Sequence, residues 1–182
     1  MALNPTSALL LVLAASLTHG GASPNEKTRE LFAAVAAFDS YVGILDSVED
    51  ASMRCLYVTR SVFLPEQQFA VYIYHYPNQE GTNGRPKEEG HCTVLNATDQ
   101  GYFPDYLCGS DPNQTAQLLY TDITTCFISR FSMSGTDHCV AFVKTEYKDS
   151  VPDDCVKEFE NKCGTQGYTL YSKQTCPSVG GS

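Results

Sequence analysis

The stretch FAVYIYHY, residues 69–76, carries the strongest strand signal in the chain. Aromatic and β-branched residues dominate it, and it holds no Gly or Pro. Side chains alternate along a strand, so Phe69, Val71, Ile73 and His75 share one face, and Ala70, Tyr72, Tyr74 and Tyr76 the other. An open sheet with one wet face would carry a polar residue at every second position. Both faces here are mostly apolar, which points to a barrel wall with one face toward a cavity and the other covered.

Working outward, residues 77–90 (PNQEGTNGRPKEEG) read as a polar loop rich in Gly and Pro. Strand-like pieces follow at 91–95, 118–120, 124–131 and 140–147, with turn signals at 99–101, 110–113 and 134–135. On the other side, 41–45 and 53–62 read as strands joined by the polar turn 47–50. Many short strands with hairpin punctuation predict a mostly β, antiparallel barrel. Two helices flank them. Residues 23–26 have the form of a helix start, with Ser23 as cap, Pro24 at the first helical position and Glu26 three residues after the Ser. Leu31, Val35 and Phe38 then form one apolar face with Phe32 alongside, and the pattern breaks near Asp39. Near the other end, 150–153 resembles a cap and 154–162 has helical character. Cys155, Phe159 and Cys163 fall on one face and Gly164 stops the helix. A short strand is expected at 168–172 and a loose tail from Pro177.

Residues 8–17 (ALLLVLAASL) are apolar and uncharged, but shorter than the roughly 20 residues that span a bilayer. Gly20, Gly21 and Ala22 follow, so residues 1–22 read as a secretory signal peptide cut after Ala22 and 23–182 as a single domain. Eight cysteines lie in that domain. An even count behind a leader reads as disulfides formed in an oxidising compartment, and the absence of any C-x-x-C pair argues against a metal site. The sequons at Asn96 and Asn113 mark exposed, glycosylated loops on the same secretory route. The formal net charge of −9 disfavours nucleic acid and anionic membranes, which both select clustered Lys and Arg. It suits a soluble secreted protein, with a cationic ligand as an alternative reading.

Several elements together resemble the tick salivary lipocalins, also called histamine-binding proteins: 120–126 (YTDITTC), Cys139 within a strand, 151–155 (VPDDC) on a helix, and a C-terminal Cys176. The helix leading into Ser40-Tyr41-Val42, and Met53-Arg54-Cys55 on the second strand, fit the same pattern. The resemblance covers most of the chain. It implies a lipocalin-like, eight-stranded antiparallel barrel closed at one end, with a short N-terminal helix and a C-terminal helix packed outside. It also implies secretion in saliva and capture of host inflammatory mediators, either a biogenic amine such as histamine or a lipid such as an eicosanoid. By similarity Cys55 pairs with Cys176, and Cys126 with Cys155. Cys139–Cys163 and Cys92–Cys108 are the pairs expected for the rest, whereas sequence alone allows 105 connectivities. The chain departs from amine-binding relatives in having no Trp. It also has no acid in 124–131, and Phe142 and Lys144 stand in 140–145.

A buried amine needs a carboxylate, and aromatic faces add cation–π attraction. The candidate acids are Asp39, Asp46, Asp122 and Glu146, and the candidate aromatics are Tyr41, Tyr72, Tyr74, Tyr120, Phe127 and Phe142. The competing structural reading is that the acids cap strand ends and the aromatics are core. A lipid would need only the aromatic lining, with Lys144 available for a ligand carboxylate. An enzyme is not expected, because there is no G-x-S-x-G, no H-E-x-x-H and no phosphate-binding glycine loop. Nor is any cofactor or metal. His91 and His138 each precede a cysteine expected to be bridged and so not nucleophilic. The partner is therefore expected to be a small molecule held by a monomer. The alternative is a host protein bound by loops, above all 77–90.

Overall fold

The computed structural model describes residues 26–94, 102–108, 115–133, 135–176 and 179. The leader, the cap at Ser23 and both sequons, at Asn96 and Asn113, lie outside those residues.

Helix α1 (Glu26–Ala37) leads into strand β1 (Ser40–Asp46). Strands β2 (Tyr57–Leu64), β3 (Phe69–Glu80), β4 (Pro86–Val94), β5 (Tyr102–Leu107), β6 (Thr115–Thr121), β7 (Cys126–Met133) and β8 (Thr136–Lys144) follow. Helix α2 (Asp153–Cys163) and a two-residue strand β9 (Tyr168–Thr169) complete the order. Each of β2 to β7 pairs antiparallel with the next, and β1 pairs with both β2 and β8, closing a ring of eight strands. β9 pairs with Leu45 and Asp46 of β1, beyond the β1–β2 pairing at Ser40–Val42. Closure leaves no exposed edge in the ring and makes an interior for one face of each strand.

The alternation read in 69–76 sorts as expected. Ala70, Tyr72 and Tyr76 are buried in the main core, while Val71, Ile73 and His75 face outward and are half covered. Outside the wall, α2 lies along β7 and β8. Phe159 is fully buried beneath it, and the disulfides Cys126–Cys155 and Cys139–Cys163 fasten its two ends. Gly164 takes φ +73° as its C-cap, and Asp153 and Asp154 in the first turn with Lys162 in the last complement the helix dipole. Cys55–Cys176 and Cys92–Cys108 complete four bridges, so all four expected pairings form.

Several boundaries differ from the sequence reading. The second strand starts at Tyr57, not at 53. Asp50 accepts from the Ser52 amide at 2.8 Å and folds Ala51–Met53 into a 3-10 turn, and Cys55 turns the chain with φ +63°. Residues 77–90 are mostly strand. β3 runs to Glu80, β4 starts at Pro86, and a register irregularity between Tyr76 and Glu80 absorbs Pro77. The sequence carries no strand signal for β5, because Pro104 and Asp105 interrupt its apolar pattern. β8 ends at Lys144, and Thr145–Tyr147 forms a 3-10 turn. The start of α2 carries Pro152 as N-cap without a side-chain cap. The predicted strand at 168–172 shrinks to two residues. In the expected loose tail, Val179 is buried beside Cys176 and its amide donates to the Cys176 carbonyl.

Candidate functional site

Among the described residues, two chambers lie inside the barrel. The upper one, about 50 Å³, sits under α1. Leu31, Ala34, Val35 and Phe38 of the helix form its roof. Tyr41, Tyr72, Tyr74, Leu118 and Phe127 form its walls, with Thr93 and Ser129 as the polar contributions. Amphipathic spacing places the helix there, because residues 31, 34, 35 and 38 fall on one face. Phe127 packs edge-on to Phe38 (4.9 Å) and Tyr41 (5.0 Å) and stacks on Phe142 (4.9 Å). These rings account for four of the nominated aromatics: Tyr41, Tyr72, Tyr74 and Phe127 line the chamber. Phe142 is buried behind Phe127 and supports it. Tyr120 points the other way. A bulge between Leu118 and Tyr120 carries it to the outer face, where it packs beneath α2. Burial, Asp122, Glu158 and Asp154 together raise its pKa.

The nominated acids are spread over three places. Asp39 and Glu146 meet in an open cleft of about 430 Å³ at the barrel mouth, together with Lys144, whose ammonium lies 5.3 Å from the Phe38 ring. Both acids are exposed, and Phe38 separates them from the chamber. Asp122 caps the β6–β7 turn, accepting from the amides of Thr124 (2.9 Å), Thr125 (2.7 Å) and Cys126 (3.0 Å) and from the Thr125 hydroxyl. Burial works to raise its pKa, but those hydrogen bonds prevail and hold the carboxyl below the ordinary value. Asp46 is fully buried, 2.7 Å from His138 Nδ1. That hydrogen bond, set against desolvation, raises the imidazole pKa, and the Asp46, Asp50 and Asp137 charges add to it.

The lower chamber, about 30 Å³, is lined by Met53, Tyr74, Tyr76, His91, Phe131 and Met133 among others. The β3–β4 register pairs Tyr76 with Lys87, Tyr74 with Glu89, Tyr72 with His91 and Ala70 with Thr93. Lys87, Glu89, His91 and Thr93 therefore share the inner face of the wall. Lys87 Nζ lies 2.7 Å from Glu89 and 5.3 Å from the Tyr76 ring, and His91 Nε2 lies 3.8 Å from Glu89. Sequence reasoning missed Lys87 and Glu89 because it placed 77–90 in a loop, and it read 91–95 as strand without assigning His91 and Thr93 to the interior. The signal was present as polar residues at 87, 89, 91 and 93, in step with the alternation of 69–76.

The interior is thus an apolar chamber beneath a helix, above an end where, among the described side chains, Asp46 and Glu89 each stand beside a basic residue, His138 and Lys87 respectively.

Solved structures share this architecture. A serotonin complex of AM182 aligns with a TM-score of 0.60 at 17% identity, over 81% of this chain and 92% of that one. Japanin from Rhipicephalus appendiculatus, bound to cholesterol, aligns at 0.56 with 9% identity, over 76% and 95%. The cockroach allergen Per a 4 aligns at 0.53 with 9% identity, over 78% and 89%. No curated protein sequence matches the chain. The sequence model of the tick histamine binding protein matches residues 43–178, which include β1 to β9 apart from the first residues of β1, together with all eight cysteines. The chain belongs to the tick histamine-binding protein family.

Proposed function

We propose that this protein captures a small apolar molecule in the chamber beneath α1 and, released at a feeding site, withdraws a host lipid mediator from solution. The observation that carries this reading is the chamber lining. Its eleven residues are aromatic, aliphatic or hydroxylated, and none is charged. An ammonium placed there would lose its hydration without gaining an acid, at a cost of several kcal/mol. A hydrocarbon loses nothing polar on entry and gains about 25 cal/mol per Å² of apolar surface removed from water. The family and fold are those of ligand-binding proteins, and its members are secreted, which four disulfides fit. Relatives of the same fold hold serotonin in one case and cholesterol in another, so both ligand classes belong in the test.

A second reading rests on Glu89. Its carboxylate is on the inner face near Tyr74, Tyr76 and His91, the surroundings an aromatic amine would use once Lys87 gives way. The loop-mediated capture of a host protein loses one of its motivating features, the long loop at 77–90, since 77–80 and 86–90 are strand, and rests on the acidic surface alone.

Calorimetry and native mass spectrometry of the oxidised, secreted protein with arachidonate, a leukotriene, cholesterol, histamine and serotonin separate these readings. The expected result is a one-to-one complex with an apolar ligand, lost in Leu118→Trp and retained in Glu89→Gln. An amine complex abolished by Glu89→Gln and retained in Leu118→Trp replaces the proposal with the second reading. Binding of none of the five moves the function to the outer surface.

A further inference from the structure

The upper chamber is too small for the function it is proposed to serve. A water molecule occupies roughly 30 Å³ of liquid, and a dry cavity of roughly 150 Å³ is what admits benzene. Ligand pockets run from roughly 300 Å³ upward. At about 50 Å³ the chamber holds no ligand until part of its lining moves.

The part least fixed is the roof. α2 is bolted to the wall by two disulfides, and the other two bridges join β4 to the segment after β5 and the segment before β2 to the C-terminal region. None of the four touches α1. Besides the burial of Leu31, Ala34, Val35 and Phe38, α1 is held by a polar latch at its C-terminal end, where a helix leaves carbonyls without intrahelical partners. Arg60 on β2 donates through one guanidinium nitrogen to the carbonyls of Val35 and Ala36 (3.1 Å to the latter). Tyr72 on β3 donates its hydroxyl to the carbonyls of Val35 (3.2 Å) and Phe38 (3.3 Å). The Arg60 charge also complements the negative end of the helix dipole. Just beyond the latch the chain enters β1, pinned by the Arg60 amide on the Asp39 carbonyl at 2.7 Å. Between the two lies Phe38, whose ring closes the chamber on one side and meets the open cleft at Lys144 on the other.

We propose that α1 is a hinged lid on the upper chamber, latched shut by Arg60 and Tyr72, and that ligand entry works against that latch. The inference rests on the upper chamber being the ligand site. The hinge is the Phe38–Asp39 junction, and opening joins the chamber to the mouth cleft. A ligand that binds only the open form has its apparent affinity reduced by the fraction of open molecules, so latch strength sets both affinity and entry rate.

Hydrogen exchange and fluorescence titration test this with the oxidised mature protein and two variants. Arg60→Met keeps an apolar stem and removes the donors together with the guanidinium stacked over Phe63, and Tyr72→Phe keeps the ring and removes only the hydroxyl. Each lost hydrogen bond is expected to raise the open fraction about 2–10-fold. Amides of α1 should exchange faster than those of β3 and β7 in the parent. They should accelerate further by that factor in each variant, while the strands stay unchanged. The association rate of cis-parinaric acid should rise in step. Exchange of α1 as slow as the strands, or unaffected by either variant, overturns the lid. So does probe uptake at an unchanged rate. Accelerated α1 exchange with no probe uptake by any form instead sinks the chamber as ligand site and leaves the lid standing. Should Arg60→Met fail to fold, Tyr72→Phe carries the comparison alone.

Discussion

Asp46→Asn should reverse the sign of this protein's pH dependence between pH 5 and 8. Asp46 and His138 are both fully buried, and they meet at 2.7 Å inside the barrel at the end away from α1. The Asp46 hydrogen bond, against the opposing effect of burial, lifts the His138 pKa above 6.5. A pKa raised in the folded state means that folding favours the protonated ring. The stability contributed by the pair is therefore complete below about pH 6.5, the unfolded value, and is lost as pH rises through the raised folded value. Asparagine keeps the shape and one acceptor but removes the counter-charge. Burial then dominates and pushes the His138 pKa down, so the variant should become less stable as pH falls below about 6.5. At pH 5 the two proteins should differ by up to about 3–5 kcal/mol, the penalty for breaking a buried ion pair on one side. At pH 8 the gap should shrink toward the roughly 1 kcal/mol of a neutral hydrogen bond. Urea titrations with the disulfides intact, at half-unit steps from pH 5 to 8, give the two curves. Every other titrating group is common to both, so their difference isolates this pair. Parallel curves, within about 0.5 kcal/mol of one separation throughout, would refute the reasoning.

Other expectations follow from single contacts. Gly167 has φ +78°, and a Cβ there would stand 2.5 Å from the buried Phe159 ring and 3.0 Å from the Asp46 carbonyl, so Gly167→Ala should cost about 2–4 kcal/mol in thermal unfolding. Asp122→Ala removes the acceptor for three backbone amides and should cost about 1–3 kcal/mol, with the calorimetric ligand affinity unchanged within about twofold. Because the Asp122 pKa is held low, its wild-type contribution should persist above the ordinary carboxylate value and vanish only as pH falls through the lowered one. Replacing Cys139 and Cys163 together by Ser opens a bridge of sequence separation 24. That should cost about 3 kcal/mol in urea and loosen the C-terminal turn of α2 in hydrogen exchange.

Much of the fold was legible because the barrel wall writes itself in period two. The alternation at 69–76 forecast which tyrosines face inward. The i, i+4, i+8 spacing of Cys155, Phe159 and Cys163 forecast how α2 is bolted down. What stayed hidden follows from the same physics. A strand is held by backbone hydrogen bonds, which polar side chains do not prevent, so Asn78, Gln79, Glu88 and Glu89 sit in strands although their composition reads as loop. Asp50, with the turn it caps, and Cys55 at positive φ moved the start of β2 by local effects that no periodicity records. A single bulge turns Tyr120 outward, away from the other five candidate aromatics. Of the nominated acids, Asp122 is satisfied by its own turn and Asp46 by His138, and each needed a partner distant in fold or local geometry to decide its role.

The inward position of Glu89 makes the ligand choice experimentally reversible. In the parent, Lys87 occupies that carboxylate at 2.7 Å, with the Tyr76 ring 5.3 Å from its ammonium. On the proposed reading an incoming amine has to displace a cation already tethered at high local concentration, which would disfavour amines although a carboxylate, an imidazole and two tyrosines are present. Lys87→Met keeps a similar apolar stem and vacates the carboxylate. Two unit charges at 4 Å interact by about 4 kcal/mol at an effective dielectric of 20. Glu89 retains 22% of its exposure, so solvent screening takes part of that. A gain of at least tenfold in histamine or serotonin affinity remains, roughly 1.4 kcal/mol. Titration calorimetry of Lys87→Met against the parent reads it directly, and the further change Glu89→Gln should erase the gain. Amine affinity unchanged by Lys87→Met would mean that the internal ion pair does not set ligand class, and selection would then rest on the size and access of the chambers.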